Sequence, residues 1–206
     1  MSGDAFASPP EQFQRETALV KAIFLDRDGT LNKETGYLHN WTDWRWLPGV
    51  PEALALLRRH GYKLVAVTNQ SGLARGLYSP EAVTRLHQEA NRHLASRKAA
   101  LDAFYYCPHH PDFTGPCDCR KPKPGMLLRA ATEMDLDRAR SWMVGDKISD
   151  VEAGLAAGCR AVLVRTGYGR EAEKCLPAFV HVADDLPAAA AHILRHEAGK
   201  NGAGAR

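Results

Sequence analysis

Short apolar runs alternate with helical patterns along almost the whole of this chain. The strand-like runs cover residues 22–26, 63–68, 103–107, 141–146, 160–166 and 179–182, and the helical patterns cover 48–61, 79–99, 124–136, 149–158 and 186–197. Strands that alternate with helices are joined by right-handed crossovers, and they build a parallel sheet covered on both faces. We therefore predict an α/β protein with a Rossmann-like three-layer fold around a central parallel sheet.

The length of 206 residues suits one domain with a sizeable core. We predict a single domain at residues 21–196, with flexible tails at 1–20 and 197–206. No stretch between the predicted strands is long enough for a large cap domain, so we expect an open pocket that is built from loops.

Charge and hydropathy limit the kinds of partner. The net charge is +3, and no basic helical face or aromatic-interleaved patch supports nucleic-acid binding. The first twenty residues lack the continuous apolar stretch of a secretory signal, and no apolar run is long enough to span a bilayer. We expect a cytoplasmic monomer that acts on a small molecule, without nucleic-acid or membrane partners.

Polar side chains follow the predicted strands at their carboxyl ends, where ligands bind in open parallel sheets. Asp26 and Asp28 follow the first strand, in the sequence FLDRDGT. Two close carboxylates repel each other and favour a hard divalent cation such as Mg²⁺. One of them can attack a substrate while the other transfers protons. A turn with solvated acids is the alternative, and the buried strand before the turn argues against it.

Two further strand ends carry candidate residues. Thr68 ends the second strand, where its hydroxyl and the following backbone N–H groups can bind an oxyanion; an ordinary polar turn is the alternative. Asp146 ends the fourth strand and suits a metal ligand, whereas Asp150, four residues later, is interpreted as a helix cap.

Three of the five cysteines lie within residues 107–119. Cys107 and His109 are two residues apart, as are Cys117 and Cys119, so each pair can project to one side of an extended segment. Three thiolates and one imidazole form a closed, structural zinc site. His110 is the rival to His109, and a disulfide is the alternative that a reducing compartment disfavours. The remaining cysteines, Cys159 and Cys175, are interpreted as ordinary packed or surface thiols.

The predicted zinc loop runs directly into Arg120 and Lys121. A metal bonded to Cys119 would fix the backbone that delivers these two cations to the crevice. We expect its role to be architectural, since a closed site has no open position for water.

Four motifs stand in one order: DRDGT at 26–30, TN at 68–69, KPKP at 121–124 and GDKISD at 145–150. This ordered set resembles the haloacid dehalogenase superfamily of phosphatases, and the likeness covers roughly residues 21–166.

The resemblance implies a haloacid dehalogenase-like fold, a Mg²⁺ cofactor and a set of roles. Asp26 would be the nucleophile that becomes an aspartyl-phosphate, and Asp28 the acid and base. Thr68 and Lys121 would hold the transferring phosphoryl group. The Mg²⁺ ligands would be Asp26, Asp146 and the backbone carbonyl of Asp28.

The pattern C-P-H…C-x-C-R-K-P narrows the resemblance to a branch of sugar bisphosphate and histidinol-phosphate phosphatases. The stretch NKETGYLH at 32–39 favours enzymes that act on heptose bisphosphates, on the route to nucleotide-activated heptose and lipopolysaccharide precursors. The implied substrate-binding residues are Glu34, Thr35, Gly36, Tyr37, Thr68, Asn69, Gln70, Ser71, Arg120, Lys121 and Lys147.

Two other functions remain open. Histidinol carries an amine, and Glu34 could supply the unpaired carboxylate that such a pocket needs. Arg120 instead favours a bisphosphate, which needs a second cationic site. A non-catalytic, zinc-stapled binding module on the same fold is the alternative from another class, and the presence of both Asp26 and Asp28 argues against it.

Overall fold

A six-stranded parallel sheet forms the centre of the computed structural model, which describes residues 19–203. The strands are β1 Ala22–Leu25, β2 Lys63–Asn69, β3 Ala103–Cys107, β4 Trp142–Gly145, β5 Arg160–Val164 and β6 His181–Ala183. Their order is β3-β2-β1-β4-β5-β6, with Phe24 of β1 level with Val65 of β2 and Met143 of β4. The strand order therefore reverses between β1 and β4, and such a switch point opens a crevice for ligands.

Helices cover both faces of the sheet. They are α1 Val50–Arg59, α2 Pro80–Ala95, α3 Pro111–Thr114, α4 Gly125–Glu133, α5 Ile148–Ala156, α6 Gly169–Ala172 and α7 Leu186–Ala203. Ile23 and Leu25 pack in one buried cluster with α1 and α7, whereas Ala22 and Phe24 pack in another with α4 and α5. Because successive side chains of a strand point to opposite faces, a strand buried on both faces is apolar throughout. The predicted three-layer α/β fold is confirmed.

Helix α2 begins where the sequence predicts and ends earlier. The side chain of Ser79 accepts a hydrogen bond from the backbone N–H of Ala82 and caps the first turn. The helix stops at Ala95 because the chain turns back, and Asn91 then pairs through its side-chain amide with both backbone groups of Leu101.

The tails differ in part from the prediction. Residues 1–18 of the predicted N-terminal tail lie outside the described residues, and Val20 already pairs with the backbone of Asp135 and Asp137. Helix α7 continues to Ala203, into the predicted C-terminal tail at 197–206. An ion pair of 2.9 Å between Glu197 and Lys21 holds this part of the helix against the beginning of β1.

The connections between strands and helices are loops. Within residues 19–203, the longest connection between successive strands and major helices is the loop 26–49 between β1 and α1, with one 3-10 turn at Trp41–Asp43, so the site has no large cap. In the same part of the chain no helix combines the length and the apolarity needed to cross a bilayer.

Candidate active site

A buried lysine and a buried aspartate meet at the carboxyl end of β1. The Nζ atom of Lys121 donates to Oδ1 of Asp26 and to the backbone carbonyl of Val67, both at 2.7 Å, and lies 2.7 Å from Oδ1 of Asp150. Two of the three N–H donors of the ammonium group are used in these hydrogen bonds, and the contact with Asp150 is an ion pair. Burial alone would lower the pKa of Lys121, but the charges of Asp150 and Asp26 raise it above its usual value. The lysine is therefore a fixed cation beside Asp26.

Asn69 holds the backbone of this lysine. Its side-chain amide donates to the carbonyl of Lys121 at 3.0 Å and accepts from the N–H of Lys121 at 3.1 Å. Asn69 ends β2, so the sheet sets the position of the loop that carries the lysine. The sequence predicted Asn69 only as a substrate-binding residue. These hydrogen bonds show that it also holds the backbone of Lys121.

Three carboxylates cluster at the switch point of the sheet. Oxygen atoms of Asp26, Asp146 and Asp150 all lie within 4.8 Å of one another, and all three residues are buried. Oδ1 of Asp146 accepts no hydrogen bond from residues 19–203, while Oδ2 accepts one from the backbone N–H of Tyr168 at 2.9 Å. Burial, reinforced by the charges of Asp26 and Asp150, raises the pKa of Asp146 to about 8. The cluster therefore holds more negative charge than Lys121 balances, and these oxygen donors suit Mg²⁺.

The backbone next to this cluster has no space for side chains. Gly29 adopts a left-handed φ of 91°, and a Cβ atom there would collide with Oδ2 of Asp146. The glycine of the DRDGT motif thus lets the first loop pass directly over the carboxylate. The carboxylate of Asp28 is not part of this three-carboxylate cluster.

Asp150 has two contacts where the sequence predicted one. Its Oδ2 accepts from the backbone N–H of Lys147 at 3.0 Å and so caps α5, as expected. Its Oδ1 also pairs with Lys121. The G-D-x-x-x-D spacing was the signal for this second contact, since it places Asp146 just after β4 and Asp150 in the first turn of the helix that follows.

The Asp28 carboxylate is held by three neighbours. Arg27, Asn32 and Gln70 donate to it at distances from 2.7 to 3.2 Å. Gln70 also donates to the hydroxyl of Thr68 at 2.9 Å, and Thr68 is buried. Burial alone would raise the pKa of Asp28, but the charge of Arg27 and the hydrogen bonds together hold it below its usual value. Asp28 is therefore ionised at neutral pH.

A cavity of about 540 Å³ opens above these groups. Twelve of the predicted site residues line it: Asp26, Asp28, Glu34, Gly36, Tyr37, Thr68, Asn69, Gln70, Ser71, Arg120, Lys121 and Lys147. Four more line it that the sequence did not single out for the pocket: Tyr78, Ser149, Asp150 and Tyr168. Tyr78 donates to the side chain of Gln70 at 2.8 Å, and no sequence motif marked it.

Thr35, which the resemblance also implies for the substrate pocket, does not line the cavity. Oε1 of Glu34 accepts from the backbone N–H of Gly36 at 2.9 Å, and Gly36 and Tyr37 both have positive φ angles. This tight turn presents the residues on either side of Thr35 to the cavity and leaves Thr35 exposed outside the lining.

Two cations stand at the wall of the cavity. The guanidinium of Arg120 donates to the backbone carbonyl of His109 at 3.0 Å, which orients it from the cysteine-rich loop. Nζ of Lys147 lies 3.4 Å from Oε2 of Glu34 and 4.8 Å from the ring centre of Tyr168. A ligand that enters with negative charge would find both groups.

The cysteine-rich loop brings its four predicted ligands together. Sγ of Cys119 lies 3.1 Å from Sγ of Cys107, 3.6 Å from Sγ of Cys117 and 3.4 Å from Nδ1 of His109. A tetrahedral zinc ion with Zn–S bonds of about 2.3 Å separates its sulfur ligands by roughly 3.8 Å, so the cluster has the size and chemistry of a zinc site. His110 lies outside the cluster, where its Nδ1 accepts from the N–H of Asp112 at the start of α3.

The five cysteines all lie in the described part of the chain and are free thiols. This agrees with the preference for a metal site over a disulfide. As expected, Cys159 is packed and Cys175 is exposed.

Known proteins resemble this chain in sequence. A family model described as HAD-hydrolase-like matches residues 118–189. The D-glycero-beta-D-manno-heptose-1,7-bisphosphate 7-phosphatase of Photorhabdus laumondii is 47% identical over 178 residues, which are 82% of this chain and 95% of the relative. The protein of the same name from Escherichia coli K12 is 46% identical over 178 residues, which are 82% of this chain and 93% of that relative.

Solved structures resemble it in fold. The D,D-heptose 1,7-bisphosphate phosphatase of B. bronchiseptica, crystallised with magnesium and phosphate, has a TM-score of 0.79 at 40% identity and covers 85% of this chain and 99% of its own. The D,D-heptose 1,7-bisphosphate phosphatase of Burkholderia thailandensis has a TM-score of 0.65 at 32% identity, with 84% of this chain and 98% of that one covered. Fold and sequence together define the class of this protein, a HAD-like phosphatase. Within that class, the chain belongs to the D-glycero-beta-D-manno-heptose-1,7-bisphosphate 7-phosphatase family.

Proposed function

We propose that this protein is a Mg²⁺-dependent phosphatase that removes the 7-phosphate of D-glycero-D-manno-heptose 1,7-bisphosphate through an aspartyl-phosphate. Membership of the family supports the substrate. The observation that carries the chemistry is the buried contact between Asp26 and Lys121 at the switch point, next to Asp146 and Asp150. Phosphoryl transfer depends mostly on positioning and charge neutralisation, which this arrangement supplies.

In this mechanism a carboxylate oxygen of Asp26 forms a bond to phosphorus as the bond from phosphorus to the sugar oxygen breaks. Asp28 gives its proton to that oxygen. It then takes a proton from the water that attacks the aspartyl-phosphate, so that phosphate is released and Asp26 is regenerated. Lys121 and Thr68 hold the phosphoryl oxygens. Mg²⁺, held by Asp26, Asp146 and the backbone carbonyl of Asp28, would neutralise part of the phosphoryl charge.

Asp28 must gain a proton before it can act as the acid. Arg27 and the other donors to Asp28 hold its pKa low, so the carboxyl group is ionised at neutral pH. A phosphate dianion beside it raises the pKa of a carboxyl group, because a nearby negative charge disfavours ionisation. Substrate binding would therefore prepare the acid that the first step consumes.

The second phosphate of the substrate needs its own cations. Arg120 offers a forked guanidinium suited to bidentate phosphate binding, and Lys147 lines the same cavity. Glu34, which kept histidinol phosphate as a candidate, lies 3.4 Å from Lys147 and also accepts from Gly36. It is not the unpaired carboxylate that an amine-bearing substrate needs, and the bisphosphate is the better fit.

We assign structural zinc to Cys107, His109, Cys117 and Cys119, where it would orient Arg120 through the carbonyl of His109. Zinc held by thiolates fits a cytoplasmic enzyme, where thiols stay reduced. The proposal also includes action as a monomer and a place on the route to nucleotide-activated heptose and lipopolysaccharide precursors.

Turnover by the Arg120→Ala variant tests the substrate. We expect kcat/KM for the bisphosphate to fall roughly ten- to a hundred-fold, from the loss of a charge-assisted contact of about 1.5–3 kcal/mol. Hydrolysis of heptose 7-phosphate should change much less, because that ester has no second phosphate.

Lys123→Ala is the matched control. Lys123 is a basic residue of the same loop, and it pairs with Asp118 at 2.9 Å on the exposed side. The Lys123→Ala variant should hydrolyse both esters at rates close to those of the parent enzyme. Equal losses on both esters in Arg120→Ala would remove Arg120 from specificity, and faster turnover of histidinol phosphate by the parent enzyme would overturn the assigned substrate.

A further inference from the structure

Arg27 is a fully buried arginine between the two catalytic aspartates of the DRDGT motif. Its Nε donates to both carboxylate oxygens of Asp28 at 3.1 Å, and its Nη2 donates to Oδ2 of Asp28 at 2.7 Å. A guanidinium forked onto a carboxylate fixes the direction of that carboxylate as well as its charge.

The same guanidinium is held from two other elements. Nη2 also donates to the backbone carbonyl of Leu38 at 3.0 Å, in the loop that carries the pocket residue Tyr37. Nη1 lies 3.3 Å from Nε2 of His87, on the buried side of α2. Arg27 thus connects Asp28 to the substrate loop and to a helix on the sheet face.

The surroundings of His87 make its Nε2 atom the acceptor of the hydrogen bond from Arg27. Its ring stacks on Phe104 of β3 at 4.5 Å between ring centres, and the residue is 5% exposed. Burial, together with the charge of Arg27, lowers the pKa of His87 to about 3, so the ring is neutral and Nε2 can accept. An arginine always carries its proton, so the imidazole is the partner that must accept.

We propose that Arg27 is a positioning residue that aims Asp28 at the leaving oxygen, and that His87 holds Arg27 in place through its Nε2 atom. This inference rests on the proposed phosphatase function. A general acid accelerates a reaction only when it lies within hydrogen-bond reach of the atom that it protonates. Asp28 lies between β1 and the turn that begins at Gly29, outside the strands and helices, and these donors set the direction of its carboxylate.

Substrates with different leaving groups can show whether His87 affects the direction of Asp28 or only the stability of the fold. A sugar alkoxide leaves only with a proton, whereas p-nitrophenolate leaves well without one. The value of kcat/KM reports the steps up to departure of the leaving group. A misdirected Asp28 should therefore lower kcat/KM for the sugar ester more than for p-nitrophenyl phosphate.

The experiment compares His87→Phe with His87→Gln. Phenylalanine keeps a ring to stack on Phe104 but removes the acceptor, and glutamine keeps an acceptor but removes the ring. We expect the loss of kcat/KM in His87→Phe to be about tenfold larger on the sugar ester than on the aryl ester. This is a small part of the rate enhancement of roughly a hundred- to ten-thousand-fold that a general acid supplies. His87→Gln should recover most of that difference, even where its melting temperature is lower.

Phe104→Leu is the control for packing, because it removes the stacking partner and keeps Nε2 of His87. It should lower stability and leave the ratio of the two activities close to that of the parent. If His87→Phe does not fold, His87→Leu removes the same acceptor in its place.

Three results would overturn the inference. A folded variant without the acceptor could lose kcat/KM equally on both esters, or lose none on either. His87→Gln could also show the same difference between the two esters as His87→Phe. A parent enzyme that hydrolyses other alkyl phosphates but not the heptose bisphosphate would overturn the proposed substrate alone, and the ratio would then be measured on that alkyl ester. A parent enzyme inactive on every ester would overturn both proposals.

Discussion

The buried carboxylate cluster should make the metal-free protein less stable as the pH rises. The pKa of Asp146 is raised from 3.8 to about 8, because the side chain is buried beside Asp26 and Asp150. Between these two pH values the folded protein holds a proton that the unfolded chain does not. The free energy of unfolding must then fall as the pH increases through this window.

The size of the effect follows from the shift. Inside the window, one extra proton in the folded state changes the free energy of unfolding by about 1.4 kcal/mol per pH unit. From pH 5 to pH 7 the expected loss is therefore about 3 kcal/mol. For a domain of this size that loss lowers the melting temperature by roughly 6–11 °C. Bound Mg²⁺ takes the place of the proton, so saturating Mg²⁺ should remove most of the slope.

The assay is thermal and denaturant unfolding at pH 5, 6 and 7, in magnesium-free buffer without a chelator so that thiolate-bound zinc is retained. Asp146→Asn is the control, because the amide keeps the shape but does not titrate. Groups away from the three-carboxylate cluster titrate alike in both proteins, so the difference between the two slopes reports the titration of the cluster to which Asp146 belongs. Parallel slopes for the parent and Asp146→Asn would refute the reasoning, and so would a slope that Mg²⁺ leaves unchanged.

Two further predictions concern the nucleophile and the second metal. Asp26→Asn should reduce phosphate release by roughly a thousand-fold or more while circular dichroism shows an intact fold, since it removes the attacking charge; near-normal turnover would contradict the mechanism. Elemental analysis should find about one zinc per chain, the content of a single four-ligand site. Cys117→Ser should lose that zinc, melt at a lower temperature and turn over the bisphosphate more slowly, because the loop no longer orients Arg120; a metal-free parent protein with a disulfide in this loop would contradict the assignment.

Much of the site could be predicted because its residues follow the ends of buried strands. Asp26, Thr68 and Asp146 each end an apolar run, and parallel strands bring such ends to one edge of the sheet. The metal-ligand pairs of the cysteine-rich loop could be predicted equally well, since their spacing alone indicates a metal site. Other residues left no such signal. Tyr78 and Tyr168 reach the cavity from loops, and the paths of loops depend on tertiary packing.

The sequence by itself determined the layers, the strand ends and the chemical identity of the site, because these depend on periodicity and on local order along the chain. Only the tertiary structure decided how each polar group is satisfied. Asn69 holds a lysine backbone 52 residues away, and His87 meets an arginine 60 residues away. Burial removes water as a partner, so each of these groups must find its hydrogen bonds in whatever the fold brings near. These partners are far apart in the sequence and close only in the folded structure, so no local sequence pattern predicts them.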